Sequence, residues 1–379
     1  MKKLLWLVCA LLCWAVHSDP AAADQRLRIA FLNPGKTGEV FWDLVSETMR
    51  AAAKQLNVDV EIVYSERNHR TLRGLGTAIV GRAAPPDYFI VVNEESAATP
   101  IVEAANAAGI KTLLLSNAFT GSEAQHYGAP RTVLNHWIGS LLPDTYSAGA
   151  RMAKALVEAS RRNRWVSADG KVHLLALAGD EKTPNSITRT SGFTSFVQAQ
   201  PDVVLDRLLF ANWNAAEAET LADRYFGWAQ RSGIRPAGVW AANDPIALGA
   251  MKAMEKNGLA AGRDLGVVGL NWSPEALDAV KAGRMILTDG GHFFEGGWSM
   301  VLLRDHADGC DFAAHSAAQD VPLASIDKAG VQDLADLIKG QQFDRIRFAN
   351  FLASRHGRCG QYDFSLNALL RASHRVAAN

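Results

Sequence analysis

The stretch LRIAFLNPGKTGEVFW, from Leu27 to Trp42, decides how the rest of the chain is interpreted. Its first six residues form a mostly apolar run, and this length and character predict a buried β-strand. A turn follows at 33–35, where proline fixes one backbone angle and glycine permits unusual ones. Phe41 and Trp42 then open an amphipathic helix that we predict to end near Asn57. Because ligands bind outside the carboxyl ends of strands in open α/β sheets, this strand-to-helix turn is a candidate ligand contact.

Two functions of this turn compete. Gly35-Lys36-Thr37 match the end of a phosphate-binding loop, which also follows a strand. However, Ala30 occupies the first glycine position of that motif, and Pro34 removes a backbone donor where the loop needs one. The alternative is a platform in which Phe41 or Trp42 stacks on the flat apolar face of a sugar ring. A core role for one of the two aromatics stays open, because adjacent helical residues face different directions.

The N-terminus predicts export. Lys2 and Lys3 precede an apolar run from Leu4 to Val16, and three alanines end at Ala23. This order of charged, apolar and small residues is typical of a secretory signal peptide, which we predict to be cleaved after Ala23. The run is short for a membrane-spanning helix. The balance of 39 basic and 39 acidic residues gives no support for nucleic acid or an anionic membrane as a partner.

Apolar runs of strand length alternate with helical patterns from Leu27 to about Ser325. Such alternation predicts parallel sheets with helical crossovers. Two series of four or five strands indicate two lobes rather than one very wide sheet. We predict chain crossings between the lobes near Gly139–Pro143, Asp289–Gly291 and Asp320–Pro322, and a last single strand at Val321–Ser325. The predicted segments are a signal peptide (1–23), lobe 1 (24–140 plus 290–320), lobe 2 (141–289 plus 321–328) and a C-terminal extension (329–379).

Motifs for catalysis and for metal binding are absent from the sequence. There is no G-x-S-x-G elbow, no H-E-x-x-H helix and no C-x-x-C pair. A secreted hydrolase would need a catalytic cluster that the sequence does not contain, so we predict neither an enzyme nor a bound cofactor. The predicted mature chain keeps Cys310 and Cys359, which an oxidising compartment would allow to form a disulfide. Two free buried thiols are the open alternative.

Polar or aromatic residues recur where the predicted strands end. Asparagine and aspartate side chains suit paired hydroxyl groups, and tryptophan suits the apolar face of a sugar. The alternative is that the same residues cap helices and form turns. The predicted ligand-binding residues are Asn33, Phe41, Trp42, Asn93, Ser116, Asn117, Arg189, Trp213, Asn243, Asn271, Asp289 and His292.

Several of these residues lie in motifs that resemble a known family. The motifs are NPG-x5-FW after the first strand, R-T-S-G-F from Arg189 to Phe193, and AANDPIALGAMKAM from Ala241 to Met254. Together they resemble the type I periplasmic binding proteins of the ribose- and galactose-binding group, over about Leu27 to Ser325. Within that group, the P-G and aromatic-Trp pattern and the C-terminal extension are most similar to periplasmic autoinducer-2 receptors.

The resemblance implies two Rossmann-like parallel-sheet lobes, joined by a three-strand hinge, that close on a ligand like a clam shell. It implies a periplasmic protein that passes a sugar or polyol-like molecule to an ABC importer, with a co-receptor for a membrane sensor kinase or cyclase as the alternative. Ser116 and Asn117 stand where sugar binders typically have Asp-Arg, and Asn271 stands where many have Asp. Gly290 or Gly291 replaces the Gln or Arg of the third hinge strand.

Overall fold

The computed structural model describes residues 26–374 and divides their strands between two six-stranded sheets. The first sheet contains β1 (Leu27–Asn33), β2 (Val58–Tyr64), β3 (Tyr88–Val91), β4 (Lys111–Leu115), β5 (Trp137–Pro143) and β11 (Ala318–Val321). The second contains β6 (Val172–Ala178), β7 (Val203–Phe210), β8 (Pro236–Ala241), β9 (Gly266–Leu270), β10 (Leu287–Gly290) and β12 (Ala324–Asp327). We call each sheet with its packed helices a lobe.

The strand order is β11-β5-β4-β3-β1-β2 in the first sheet and β12-β10-β9-β8-β6-β7 in the second. Neighbouring strands run parallel except for β10 and β12, which are antiparallel. Both sheets are parallel-dominated and separate, which confirms the predicted α/β fold class.

Helices connect the parallel strands and cover the sheets. They are α1 (Val40–Gln55), α2 (His69–Val80), α3 (Thr99–Ala107), α4 (Gly121–Tyr127), α5 (Thr145–Arg162), α6 (Pro184–Gln198), α7 (Ala215–Arg231), α8 (Asp244–Lys256), α9 (Pro274–Lys281), α10 (Glu295–Ala307), α11 (Val331–Lys339) and α12 (Leu366–His374).

The central strands form because their residues are apolar on both faces. All seven residues of β6, VHLLALA, are buried, as expected for a parallel strand covered by helices on both sides. Polar residues then start the following helices: the side chains of Asn214 and Asn243 accept backbone N–H groups at the starts of α7 and α8. The result is a set of rigid strands whose carboxyl ends carry short, sharply turning loops.

The chain crosses between the lobes three times. β5 belongs to the first sheet, whereas α5, which follows it directly, packs on strands of the second sheet. The crossing after β10 returns through α10, which packs on α1 of the first lobe. The third crossing joins β11 in the first sheet to β12 in the second. The two lobes therefore share three connections close together in space.

The prediction of one strand at Val321–Ser325 was wrong. Two strands of four residues each lie there, and they belong to different sheets. Pro322 stands between them, and its missing N–H cannot join a strand ladder. The segment Gly139–Pro143 was predicted as a crossing, and it is also part of a full strand of the first sheet, β5.

The C-terminal segment, residues 329–374, contacts both lobes. α11 packs on α9 of the second lobe, and the Lys339 ammonium forms an ion pair with Asp278 there. The Gln55 side chain of α1 donates to the carbonyl of Ile346 at 2.7 Å and accepts the N–H of Phe348 at 2.9 Å. A disulfide also ties this segment to the first lobe by joining Cys310 and Cys359, whose Cα atoms lie 5.1 Å apart.

The predicted signal peptide and its cleavage after Ala23 lie outside the described residues. Within residues 26–374, none of the helices combines the length and the apolar character that crossing a bilayer requires.

Candidate functional site

A cavity of about 630 Å³ lies between the lobes, at the carboxyl ends of the strands of both sheets. Most of the lining comes from the loops after β1, β2, β3 and β4 in the first lobe and after β6, β7, β8, β9 and β10 in the second. Nine of the twelve residues predicted from the sequence line it: Phe41, Trp42, Ser116, Asn117, Arg189, Trp213, Asn243, Asn271 and His292.

Three predicted contacts, Asn33, Asn93 and Asp289, are not among the residues that line the cavity. The Asn33 amide donates to the Trp42 carbonyl at 3.3 Å and to the Ser46 hydroxyl at 3.1 Å. The Asn93 carbonyl oxygen accepts the N–H of Ala98 at 3.1 Å. These two side chains hold the loops that follow their own strands, so we remove them from the proposed contacts.

Asp289 is also not a proposed ligand contact, because its carboxylate binds other side chains of the protein. Its carboxylate is fully buried and accepts hydrogen bonds from the Arg151 guanidinium at 3.0 and 3.2 Å and from the Ser325 hydroxyl at 2.6 Å. The aspartate thereby joins α5, β10 and β12 at the crossings between the lobes.

The structure also excludes a phosphate loop at 33–37. The N–H of Gly35 donates to the Asn33 side chain at 2.9 Å, and the N–H of Lys36 donates to Glu39 at 3.1 Å. The N–H of Thr37 donates to Glu66 at 3.2 Å. Because the protein's own acceptors already occupy these donors, none remains for a phosphate.

Aromatic rings form one wall of the cavity. The Phe41 ring lies 4.6 Å from the His292 ring and 5.0 Å from the Trp42 ring, centroid to centroid. Trp42 is 2% exposed, and its indole Nε1 has no hydrogen-bond partner among the described residues. Burial, with a smaller effect of the Arg189 charge, lowers the pKa of His292 well below 6.5, so this imidazole is neutral at pH 7.

Gly35 makes room for the Trp42 ring. A Cβ added at Gly35 would lie 2.4 Å from the indole, so only glycine lets the turn after β1 pack this closely on Trp42. The turn and the aromatic wall are therefore one packed unit, which explains why both occur in the same short stretch of sequence.

Arg189 of the second lobe provides a buried positive charge at the cavity. The residue lies on α6 and is 2% exposed, and its Nη1 donates to the carbonyl of Ala242. Its guanidinium carbon lies 5.7 Å from the Trp213 ring centroid. Burial lowers the pKa of Arg189 to about 10, against the opposing charges of Asp289 and Asp244, so the group stays charged at pH 7.

Trp213 is positioned by Asp180 and Gly179. The indole Nε1 of Trp213 donates to the Asp180 carboxylate at 2.5 Å. A Cβ added at Gly179 would lie 2.3 Å from the Trp213 ring, so the ring packs directly on the backbone after β6. Hydrogen bonds lower the pKa of Asp180 although burial, the largest single effect, raises it, and the carboxylate is therefore charged at pH 7.

Several strand ends at the cavity have left-handed backbone angles at residues other than glycine. The φ angles are 62° at Ser116, 46° at Asn212, 59° at Trp213, 145° at Asn271 and 56° at Trp272. Such conformations cost about 1 kcal/mol or more each and cluster at ligand sites, because they aim side chains where regular backbone cannot.

One side chain that the sequence analysis missed joins the two lobes across the cavity. Asn185, at the start of α6, donates its N–H to the Asn117 side chain at 3.1 Å. Its amide donates to the carbonyl of Ser116 at 3.0 Å and to the Ser116 hydroxyl at 3.1 Å. The predicted contacts were chosen mainly at the ends of strands, whereas Asn185 follows Pro184, a standard first residue of a helix.

Ion pairs surround the entrance of the cavity. The Arg67 guanidinium binds the carboxylates of Glu39 and Glu94, and Lys182 of the second lobe lies 3.6 Å from Glu95 of the first. Burial raises the pKa of Glu94, although Arg67 acts in the opposite direction. Among residues 26–374, no group of three metal-binding side chains occurs.

A family model for the periplasmic binding protein domain matches residues 29–309. The chain belongs to this family. Its members are solute-binding proteins, and they are not enzymes. The cleft between two α/β lobes is therefore the place where a periplasmic binding protein of this architecture holds its solute.

Individual relatives share the sequence and the fold over most of the chain. The structure of a periplasmic sugar-binding protein from Pseudomonas fluorescens is 31% identical, with a TM-score of 0.80, and the match covers 91% of this chain and 99% of that one. The xylitol-binding protein of Mycolicibacterium smegmatis is 24% identical over 280 residues, 71% of this chain and 69% of its own length. The D-apiose import binding protein of Paraburkholderia graminis is 25% identical over 276 residues, 73% and 79% of the two lengths.

Proposed function

We propose that this periplasmic binding protein captures a sugar or polyol-like small molecule between its lobes and delivers it to an ABC importer. The observation that carries the proposal is the cavity, in which an aromatic wall faces buried amide and guanidinium groups from both sheets. Apolar ring faces and convergent polar groups are the combination that polyhydroxylated ligands need. The relatives named for xylitol and for D-apiose import support this class of ligand.

The proposed contacts divide by chemistry. Phe41, Trp42 and Trp213 would stack on the apolar faces of the ligand, and the His292 ring packs on Phe41 at the same cavity. The proposed hydrogen-bonding groups are Ser116, Asn117, Asn185, Arg189, Asn243 and Asn271. No cofactor is needed for this role, because binding changes no covalent bond.

Lobe closure would couple binding to transport. A ligand that contacts both lobes has higher affinity for the closed arrangement and shifts the population towards it. The three chain crossings would act as the hinge, and the bonds of Asn185 to Ser116 and Asn117 would form only when the lobes meet. A permease would then recognise the closed shape.

Thermal unfolding tests this proposal. The protein from Asp24 onwards is heated with a panel of pentoses, hexoses, polyols and sugar acids, and a true ligand at 100 times its dissociation constant adds about 2.7 kcal/mol to the free energy of unfolding. Trp42→Ala should abolish the shift. Trp228→Ala is the matched control, because Trp228 is a partly buried tryptophan of α7 that does not line the cavity. A flat panel with a well-folded protein would contradict the proposal.

A co-receptor for a membrane sensor, as in the autoinducer-2 receptors, is the second candidate. The C-terminal extension suggested it, but the Pseudomonas fluorescens sugar-binding protein matches 91% of this chain, a share that residues 26–328 alone cannot supply. The extension is therefore shared in part with that sugar-binding protein and does not favour a sensor. Co-purification with detergent-solubilised permease or with a sensor kinase separates the two roles.

Export is part of the proposal as well. We propose that the first 23 residues are removed and that the mature protein starts at Asp24 in the periplasm. N-terminal sequencing of the protein from an osmotic-shock fraction tests this directly. A protein that retains Met1 in the membrane fraction would contradict it.

A further inference from the structure

Several of the free polar atoms at the cavity are donors. The Oδ1 atoms of Asn117 and Asn243 already accept backbone N–H groups at 3.1 and 2.9 Å, which orients their NH₂ groups and leaves them without a partner among the described residues. The indole Nε1 of Trp42 and the Nε of Arg189 are also buried without an acceptor in that part of the chain. Buried donors of this kind carry a free-energy cost that a bound acceptor would remove.

The carboxylates that line the cavity are already engaged by the protein. Asp180 accepts four hydrogen bonds, from the N–H of Lys182, the N–H and hydroxyl of Thr183, and the Trp213 indole. The others lie in the ion pairs described at the entrance: Glu39 and Glu94 with Arg67, and Glu95 with Lys182. Ligand hydroxyls that need a strong anionic acceptor therefore find none unoccupied among the described lining residues.

In contrast to these carboxylates, part of the Arg189 guanidinium is not engaged by the protein. Its buried guanidinium uses Nη1 for the Ala242 carbonyl, and it forms no ion pair with any carboxylate of the described chain. Its Nε is unpartnered, and no hydrogen bond of Nη2 is present in residues 26–374. The Nε and Nη2 atoms form one edge of the planar guanidinium, and this edge matches the two oxygens of a carboxylate.

We infer that the ligand is a polyhydroxylated carboxylate, an aldonic or uronic acid, whose carboxylate binds the free edge of Arg189 while its hydroxyls meet the asparagine amides and its carbon skeleton packs on the aromatic wall. This inference rests on the proposed function and narrows its ligand class. A neutral sugar would leave the buried Arg189 without a carboxylate in contact, since Asp289 and Asp244 act on it only from a distance, whereas a bound carboxylate neutralises it where water is excluded.

Matched ligand pairs test this inference. Xylitol and D-xylonate share a carbon chain and differ at one end, as do D-glucitol and D-gluconate; D-galactose and D-galacturonate form a cyclic pair. Titration calorimetry gives the dissociation constant of each, with sodium acetate as a control for non-specific anion binding. For at least one pair, we expect the acid to bind about 100-fold or more tightly than its neutral partner, and the affinity to fall as salt rises.

Two variants assign the preference to Arg189. Arg189→Met removes the charge and should bring the acid-to-neutral ratio close to one. Arg189→Lys keeps the charge but loses the planar fork, so it should give an intermediate ratio. Because Met fills the space of the side-chain stem and removes a buried charge that lacks an ion-pair partner, the unliganded Arg189→Met protein should unfold at a temperature no lower than wild type.

The outcomes separate the inference from the proposed function. Neutral members that bind as tightly as the acids, or more tightly, would overturn the carboxylate inference and leave the sugar-binding function standing. An acid preference that survives in Arg189→Met would also overturn it. Failure of every acid and every neutral compound to bind the folded protein would contradict the proposed function itself.

Discussion

Glu295 should make the stability of this protein depend on pH in a way that a single substitution removes. The residue starts α10, at the crossing from the second lobe to the first, and is completely buried. Neither carboxylate oxygen has a hydrogen-bond partner in the described chain. Burial raises the pKa of Glu295 well above 4.5.

The sign and size of the effect follow from proton linkage. Above pH 4.5 the unfolded state releases the Glu295 proton and the folded state keeps it. The wild type therefore loses about 1.4 kcal/mol of unfolding free energy for each pH unit until the folded-state pKa is reached. Between pH 4.5 and pH 7 the loss can reach about 3 kcal/mol. Glu295→Gln has almost the same shape and does not titrate, so its advantage over wild type should grow with pH.

Urea unfolding of both proteins at pH 5, 6 and 7 measures this growth. Glu255→Gln, on the exposed face of α8, is the matched control, and its difference from wild type should change by less than about 0.5 kcal/mol over the same range. If the new amide changes the unfolding free energy by the same amount at every pH, the difference between the two proteins still grows with pH at the same rate. A Glu295→Gln difference that stays flat with pH, or that shrinks as pH rises, would refute the argument that this carboxyl is buried and protonated.

Three other substitutions test the site and its supports. Because burial lowers the pKa of His292 well below 6.5, wild type should lose about 1.4 kcal/mol per pH unit below pH 6.5 and His292→Asn should not; parallel acid unfolding curves would contradict this. Asn185→Ala removes the two side-chain hydrogen bonds to Ser116 between the lobes, each worth about 1 kcal/mol, so calorimetry should show at least about tenfold weaker ligand binding with a larger radius of gyration in X-ray scattering. Replacing Cys310 and Cys359 together by serine opens a loop closed over 49 residues and should lower the unfolding free energy by about 4 kcal/mol in urea; an unchanged midpoint would show that the disulfide does not constrain the unfolded chain.

The sequence predicted the two-lobe fold because its strong signals are local. The apolar run at β1, the following turn and the Phe41–Trp42 pair needed no distant information. In contrast, the division of Val321–Ser325 between two sheets could not be predicted from local sequence. Strands of four residues have little periodicity, and their pairing depends on partners far away in the chain.

At the site, the sequence alone also does not decide the role of each polar residue that follows a strand. A polar residue after a strand can face the cavity, as Asn117 does, or turn back to hold its own loop, as Asn33 and Asn93 do. Residue type and position are the same in these cases, so the sequence alone does not separate them. Only the neighbours that each amide meets decide between the two roles.

The groups at the hinge and the cavity share one property that links stability to function. Arg189, Glu295 and the indole of Trp42 are buried with polar atoms that the described chain leaves unpartnered, and the nearby strand ends hold left-handed backbone angles. Each of these features costs free energy in the unliganded protein. The contacts of Asn185 and Lys182 that bridge the lobes are worth only a few kcal/mol in total, by the usual values for hydrogen bonds and exposed ion pairs. Under the proposed function, a ligand that satisfies Arg189 and Trp42 would remove part of this cost in the closed arrangement, and that difference would allow a membrane partner to distinguish the loaded protein from the empty one.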